Sequence, residues 1–392
     1  MRVGVRRMAA VASIAVLGAS CAGSSAAPGP STIDSTTAPS TTVARTTTTT
    51  ATAPSTTTTA TTTTAATTST STTSIDTSTT TTEPARRLQA GRLRAPDGYA
   101  RHEPGPAWEG EAALTGLDVD PTVWKRPALA IKIDNAPGGR PPWNLAGADL
   151  VFEENVEGIT RFVAVFHSTA PDRIGPVRSA RLSDLDVLAA LNRPILAWSG
   201  GNPGVTSYVG AGHRLGWFSN LSAQSTSCYW RSATRRAPHN LLLDPICAWD
   251  STTYAGPARP VFARDDGRTP RGRPEREFGL RMDGVSIGWV WDPPTGRYLR
   301  RQAGDWHVDA DGDPVAATNV VVLEVEYVPS VVDARSPQAV TVGSGRAVVH
   351  RGGVSMTGVW YRADRFDPFT LTRDDGSALT LAPGTVFVEL TR

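Results

Sequence analysis

The chain has 392 residues, with 39 Lys+Arg against 37 Asp+Glu and three cysteines. Its first ninety residues hold six arginines (Arg2, Arg6, Arg7, Arg45, Arg86, Arg87) and three acids (Asp34, Asp76, Glu83), which leaves 33 basic and 34 acidic side chains for the rest. A near-neutral remainder lacks the basic footprint of a general nucleic-acid binder, and the length allows two domains of ordinary size.

In chain order, the first element is an export signal. Arg2, Arg6 and Arg7 precede the apolar run Met8–Leu17, which is too short to span a hydrocarbon core of about 30 Å. Gly18, Ala19 and Ser20 then lead to Cys21, a pattern similar to a lipobox, in which a diacylglyceryl group joins the cysteine. The usual pattern has Leu three residues before the cysteine; here Gly18 holds that place and Leu17 stands one earlier. The alternative is ordinary cleavage between Ala22 and Ala27 with release of the protein. From Ser24 to Arg87 the chain is almost entirely Thr, Ser, Ala and Pro. Too few large apolar side chains are present to offset the entropy of ordering, so residues 22–110 are expected to form a disordered tether, in which a coil of about 65 residues would span about 40–50 Å. Lysine occurs only at Lys125 and Lys132, a bias that fits a GC-rich, Gram-positive bacterial source. The expected location is extracytoplasmic, with lipid as the membrane attachment.

Ordered patterning starts near Leu114. Ala128–Ile133 (ALAIKI) reads as a strand ending at Asp134 and Asn135, followed by a turn-rich loop at Pro137–Pro142. Asn144 is placed as the cap of a short helix over Leu145–Ala148. Leu150–Phe152 and Arg161–Ser168 read as strands, Ser183 as the cap of a helix over Asp184–Leu191, and Pro194–Trp198 as another strand. Strands alternating with short helices predict an α/β domain over residues 114–258. The Pro/Arg/Gly-rich stretch Arg259–Arg276 is the expected join. Residues 277–392 show short alternating runs punctuated by Gly and Asp, which predict a mostly antiparallel β domain. Cys228 and Cys247 form an even pair in a compartment that permits disulfides; a bridge would close a loop of about 20 residues, and two buried thiols are the alternative.

Several motifs then agree in order: IDN at Ile133–Asn135, ADLVFEENVEGITRF at Ala148–Phe162, IGPVRSAR at Ile174–Arg181 and APHN at Ala237–Asn240. Together they resemble the bacterial DUF3048 family. NVVVLE at Asn319–Glu324, GVWY at Gly358–Tyr361 and APGTVFVE at Ala382–Glu389 are similar to that family's second domain. The family pattern has two glycines ahead of ITRF, where this chain has Gly158 alone, so a shortened turn is expected. The resemblance implies architecture and location; it carries no reaction.

The densest polar signal is Glu153, Glu157, Thr160 and Arg161, then Arg178, Ser179 and Arg181. A helix would set Glu153 and Glu157 roughly 6 Å apart and a strand roughly 13 Å, and only the first nears paired-carboxylate chemistry. Arginines presented from a turn before a helix suit a carboxylate or phosphate. The opposing view is that they pair with Glu153, Glu157 or Asp184 as a structural network. His239 and Asn240 offer a base or a loop anchor. No P-loop, no GxGxxG after a strand and no HExxH occurs, and no GxSxG elbow surrounds Ser179, so no cofactor or metal is expected. Asp309–Asp313 resembles the start of a Ca²⁺ loop, but Val320 stands where its bidentate Glu belongs, and a hairpin turn is expected there. Among the eleven tryptophans, exposed ones would stack on sugars and buried ones fill cores.

Three readings follow. In the first, a lipoprotein binds an anionic wall component (glycan or peptide) or an envelope protein, with Arg140, Arg161, Arg178 and Arg181 as contacts. Asp134, Asn135, Glu153, Glu157, Thr160, Ser179, His239 and Asn240 would shape its pocket. In the second, a wall hydrolase uses Glu153 or Glu157 with His239. In the third, the chain is a scaffold.

Overall fold

The computed structural model describes residues 101–268 and 270–392; the expected signal segment, Cys21 and the tether up to residue 100 lie outside the described residues. Four short helices occur among the described residues: α1 (Pro121–Trp124), α2 (Leu182–Ala189), α3 (Pro203–Arg214) and α4 (Pro245–Asp250). The leading half supplies β1 (Leu129–Asp134), β2 (Leu150–Val156), β3 (Ile159–Phe166), β4 (Ile195–Trp198), β5 (Ser219–Ser222), β6 (Tyr229–Arg231) and β7 (Leu241–Leu243). The trailing half begins with β8 (Arg273–Pro274), β9 (Glu277–Met282), β10 (Val285–Asp292), β11 (Arg297–Gln302), β12 (Asp305–Trp306) and β13 (Ala316–Ala317). It ends with β14 (Asn319–Glu324), β15 (Glu326–Ser330), β16 (Asp333–Val340), β17 (Gly343–Arg351), β18 (Val354–Arg362), β19 (Thr370–Arg373) and β20 (Val386–Thr391). A mixed sheet with few helices comes first and mostly antiparallel strands follow, as the patterning predicts.

One large sheet crosses both halves, in the order β19-β18-β17-β14-β20-β2-β3-β1-β4-β5, with β8 on β18. The last strand, β20, lies parallel to both β14 and β2 and joins them. β1 is buried along its whole length because both faces of the sheet are covered, which is why ALAIKI reads as a continuous apolar run. On one face, Ala130, Phe152 and Val163 pack with α2 and α3 through Leu185, Leu188, Val205 and Val209. On the other, Ile131, Ile133 and Phe162 pack with α4 and with a second antiparallel sheet, β12-β11-β10-β9, through Trp289 and Tyr298.

Local chemistry sets the element ends. Asn202 and Asp244 accept hydrogen bonds from Val205 N (2.8 Å) and Cys247 N (3.1 Å), and Pro203 and Pro245 open the helices that follow. β2 and β3 meet at the pair Val156 and Ile159, so Glu157 and Gly158 form a two-residue turn in which Gly158 takes φ +79°. That turn is as short as the single glycine predicts. Two caps are placed differently from expectation. α2 is capped at Arg181, and Ser183 lies inside the helix, where its hydroxyl accepts from Ala339 N at 3.0 Å. Asn144 adopts a left-handed conformation and donates to Arg173 O, while Leu145–Gly147 forms only a single 3₁₀ turn.

Residues 101–113 lie along the folded body. His102 N donates to Leu215 O, Gly105 N donates to the side chain of Asn192, and Ala112 and Ala113 are buried. The stretch around Phe262–Asp265 runs beside the trailing half: Phe262 bridges to Phe369, Arg264 bridges to Leu381, and Asp265 pairs with Arg351. Asp309 Oδ1 accepts from Asp311 N and Asp313 N, closing a turn between Val308 and Pro314. Among the described residues no helix is long and apolar enough to cross a membrane.

Cys228 and Cys247 are joined by a disulfide, 19 residues apart in sequence. Replacing both with alanine is expected to lower stability by roughly 3 kcal/mol, read by denaturant titration with and without reductant. The Arg351 guanidinium hydrogen-bonded to Asp265 holds that carboxyl down to about 2. A depressed carboxyl stabilises the fold at neutral pH, and the contribution is lost as pH falls from about 4 to 2. Asp265→Asn should therefore be less stable than the native chain at pH 6, with the gap closing near pH 2, in parallel thermal melts.

Candidate functional site

The pleat of β2 decides where the polar residues go. Successive strand side chains point to opposite faces, so Glu153 and Glu154 are driven apart. Glu153 sits opposite Phe162 and Glu389 and faces the second sheet; Glu154 sits opposite Arg161 and faces α2. Both are buried, and a buried carboxylate must be met by donors or a cation.

On the Glu153 side, Oε2 accepts from Arg300 Nη2 at 2.5 Å, and Oε1 accepts from Thr160 Oγ1 at 2.5 Å and from Asn135 Nδ2. Asn135 and Gln302 exchange two further hydrogen bonds. Arg300 lies among the rings of Phe162, Phe387 and Trp289 and reaches Gln302 Oε1 and His307 Nδ1, both at 2.7 Å. Trp289 Nε1 donates to Glu389 Oε1. Burial and the neighbouring Glu153 push the Glu389 carboxyl well up, while burial and the adjacent Arg300 push His307 well down. The cluster is closed to solvent, with Glu153 and Arg300 paired at its centre.

On the Glu154 side, Lys132 Nζ binds Glu154 and Asp184, all three buried, the second contact at 2.9 Å. Burial pushes the Asp184 carboxyl up to about 6, with Lys132 opposing and Glu154 assisting. Asp184 Oδ2 also accepts from Arg181 N and so fixes the start of α2.

A third group lies at the strand ends, partly open to solvent. Asp134 is buried; its Oδ1 accepts from Ala136 N, and its Oδ2 receives His239 Nδ1 at 2.6 Å with Arg178 Nε at 3.3 Å. The His239 side chain is 28% exposed and that of Arg178 21%. Two glycines let the 137–142 loop lie against this pair. A Cβ at Gly139 would stand 2.7 Å from Asp134 Cγ, and one at Gly138 2.9 Å from His239 Cδ2. Arg181 donates to both oxygens of Glu157, and Arg161 reaches Ser179 O. Burial, with Arg181 and Arg178 nearby, brings the Arg161 guanidinium down to about 10. Burial works to raise Glu157, yet hydrogen bonds from Arg181 and Ser336 hold it below the ordinary range. Three guanidiniums thus face two carboxylates, leaving one positive charge in excess before His239 is counted.

The constellation expected from sequence is therefore divided by the sheet. Asp134, Glu157, Arg161, Arg178, Ser179, Arg181 and His239 come together at the rim. Glu153, Thr160 and Asn135 are sealed on the opposite face, so Glu153 does not form a pair with Glu157 or His239. Asn240 is a loop anchor, accepting from Arg231 and donating to Ser232 O and Arg235 O. Arg140 lies near Arg300 and Asp305 rather than on the rim. Sequence reading missed Arg300, Gln302 and His307, which carry no local motif, and the role of Glu389, which stands in the APGTVFVE stretch. It also missed Arg235, which stacks on Trp143 and clamps the loop at Gly139 O and Pro141 O. Lys132 inside an apolar strand was a usable signal, because a lysine is almost never fully buried without a partner. Trp198, Trp217, Trp289 and Trp360 fill the core, whereas Trp230 and Trp306 are exposed. Among the described residues no three His, Cys, Asp or Glu side chains gather as a metal-ion set.

Two family models match the chain: "Protein of unknown function (DUF3048) N-terminal domain" over residues 114–256 and its C-terminal counterpart over residues 279–388. The chain belongs to the DUF3048 family. The "Putative lipoprotein YerB" of Bacillus subtilis (strain 168) is 26% identical over 303 residues, covering 73% of this chain and 88% of that protein. A crystal structure of the YerB protein from Bacillus subtilis superposes with a TM-score of 0.61 at 23% identity, covering 72% of this chain and 96% of that one. This DUF3048 chain thus shares its fold with YerB.

Removing the one cation from the α2-facing cluster leaves two buried carboxylates without a counter-charge. Lys132→Met is expected to cost about 3–5 kcal/mol in urea unfolding. The triple change Lys132→Met, Glu154→Gln, Asp184→Asn should recover most of that loss.

Proposed function

We propose that this protein is an envelope lipoprotein, anchored through Cys21, that binds an anionic group of a cell-wall component at the Asp134 rim. The observation that carries the reading is the sharing of one buried carboxylate oxygen by His239 and Arg178, beside Arg161 and Arg181. A buried carboxylate hydrogen-bonded to His239 and ion-paired with Arg178 is a fixed mount. The imidazole and the guanidinium it holds are both partly exposed. The unbalanced positive charge of the rim gives an anion a reason to stay, and guanidinium forks suit carboxylate and phosphate oxygens. The lipid anchor and tether would hold this rim near the wall; the lipoprotein name of YerB supports that placement.

A second reading draws on the 2.6 Å contact between Asp134 and His239. A buried acid orienting a partly exposed imidazole is the arrangement of a general base. In that reading the rim would hydrolyse the wall component it binds.

One experiment addresses both. The full chain is incubated with isolated cell walls, and retention and soluble products are measured. Arg178→Ala is expected to weaken retention about tenfold or more, and added salt should weaken the native chain. Retention unchanged by Arg178→Ala and by Arg161→Ala together would overturn the binding reading. Products released by the native chain and lost in His239→Gln would favour the hydrolase. Separately, Cys21→Ala should move the protein out of the membrane fraction.

A further inference from the structure

A cavity of about 630 Å³ lies at the other end of α2, away from the rim. Arg181 caps the start of that helix, whereas Ala189 and Ala190 at its end line the cavity, roughly 12 Å further along the helix axis. None of the rim residues contributes to its walls.

One wall is the stretch 102–111, which arches over the body between two fixed points. At the first, the His102 ring stacks on Phe366 at 3.8 Å and Gly105 exchanges two hydrogen bonds with Asn192. At the second, Ala112, Ala113 and Leu114 are buried. Between them Trp108 stays exposed, its indole nitrogen donating to Glu111. The floor is apolar and built of small groups: Ala189, Ala190, Pro260, Phe262, Ala263 and Pro368.

The charges in the walls do not cancel evenly. Glu103 is met by Arg101 and Arg193. Glu111 faces Arg264, whose terminal nitrogens end on the carbonyls of Leu114 and Ala382. Burial and the nearby Arg193 lower the His102 pKa, which favours the neutral ring. Arg259 alone among the charged lining residues has no hydrogen bond or ion pair to any described residue. Its Nη1 lies 2.7 Å from where a Cβ on Gly105 would stand, so the guanidinium is laid across the underside of the arch.

We propose that this cavity binds a carboxylate carried on a small apolar body, with Arg259 holding the carboxylate and the Ala/Pro/Phe floor taking the apolar part. A mostly apolar cavity with one unpaired cation selects that combination: the floor excludes highly charged ligands, and the guanidinium rejects neutral ones of the same shape. Two sources share the chemistry, the free C-terminus of a short peptide with small side chains and a short acyl chain. The walls favour the peptide, because Glu111 and the peptide groups of the arch can meet its amides. The inference stands apart from the rim and does not depend on it.

Calorimetric titration of the full chain with N-acetyl-dialanine, its C-terminal amide and octanoate tests this. The free acids are expected to bind, and the amide at least about tenfold more weakly. Tighter dipeptide would identify a peptide terminus, and tighter octanoate an acyl chain. Arg259→Ala should abolish binding and Arg259→Lys restore part of it. Gly105→Ala, whose methyl displaces the guanidinium, should weaken binding without removing the charge. Arg178→Ala, at the rim, should leave it unchanged, which separates failure of this site from failure of the other. Equal affinity for acid and amide, unchanged affinity in folded Arg259→Ala, or no heat with either acid at millimolar concentration would overturn the proposal.

Discussion

Two neighbouring glutamates on one central strand impose most of the polar architecture of this molecule. Because the strand is pleated, Glu153 and Glu154 enter opposite layers, and each must find a positive partner where water is excluded. Glu154 finds Lys132 on the adjacent part of the sheet. Glu153 finds Arg300, which lies 147 residues further along the chain on β11. The second contact ties the antiparallel sheet of the trailing half to the mixed sheet of the leading half. Asn135 and Gln302 extend the same join, and so do Trp289 and Glu389. A carboxylate left without Arg300 would be a buried, unpaired charge, so docking of the two layers and satisfaction of Glu153 are one event.

That arrangement also determines which groups remain for ligands. The acids in the sheet interior are consumed by cations of the fold. Asp134 and Glu157 differ because each sits where a strand ends: Asp134 at the last position of β1, Glu157 in the turn after β2. At a strand end the sheet no longer covers both faces, so Arg178 and His239 there stay partly exposed while Arg161 is buried behind them. Open-edged groups mounted on a rigid, filled sheet are positioned without the entropy cost that a mobile loop would carry on binding.

Much of the fold was legible in the sequence. The run ALAIKI announced a strand covered on both faces, and the single Gly158 announced a tight hairpin. The dipeptides Asn202-Pro203 and Asp244-Pro245 are helix-start signals in their own right. The rim was legible in part: Asp134 and His239 are 105 residues apart, yet both stand in motifs. What failed was the grouping of Glu153 with Glu157. Four residues apart suggests one face in a helix or a strand, but the strand stops at Val156 and the chain reverses, so the rule no longer applied. Ser183 failed for a different reason. It is a good helix cap by type, but Asp184 had already bound the backbone nitrogen of Arg181, and the serine hydroxyl was taken by Ala339. Among the partners of Glu153, Arg300 had no signal, since alternation along β11 marks Tyr298, Arg300 and Gln302 as one face without saying what that face meets.

The placement of β20 has an implication for biogenesis. The strand at residues 386–391 sits in the middle of the large sheet, between β2 and β14, and pairs in parallel with each. It follows both of them in the chain and is therefore made after them. Until it is available, β2 and β14 each present a bare hydrogen-bonding edge, and the sheet is two incomplete fragments. A chain that folds as it is synthesised consequently cannot close this sheet before β20 is available. The same geometry makes loss of residues 386–391 far more damaging than loss of a strand at a sheet edge.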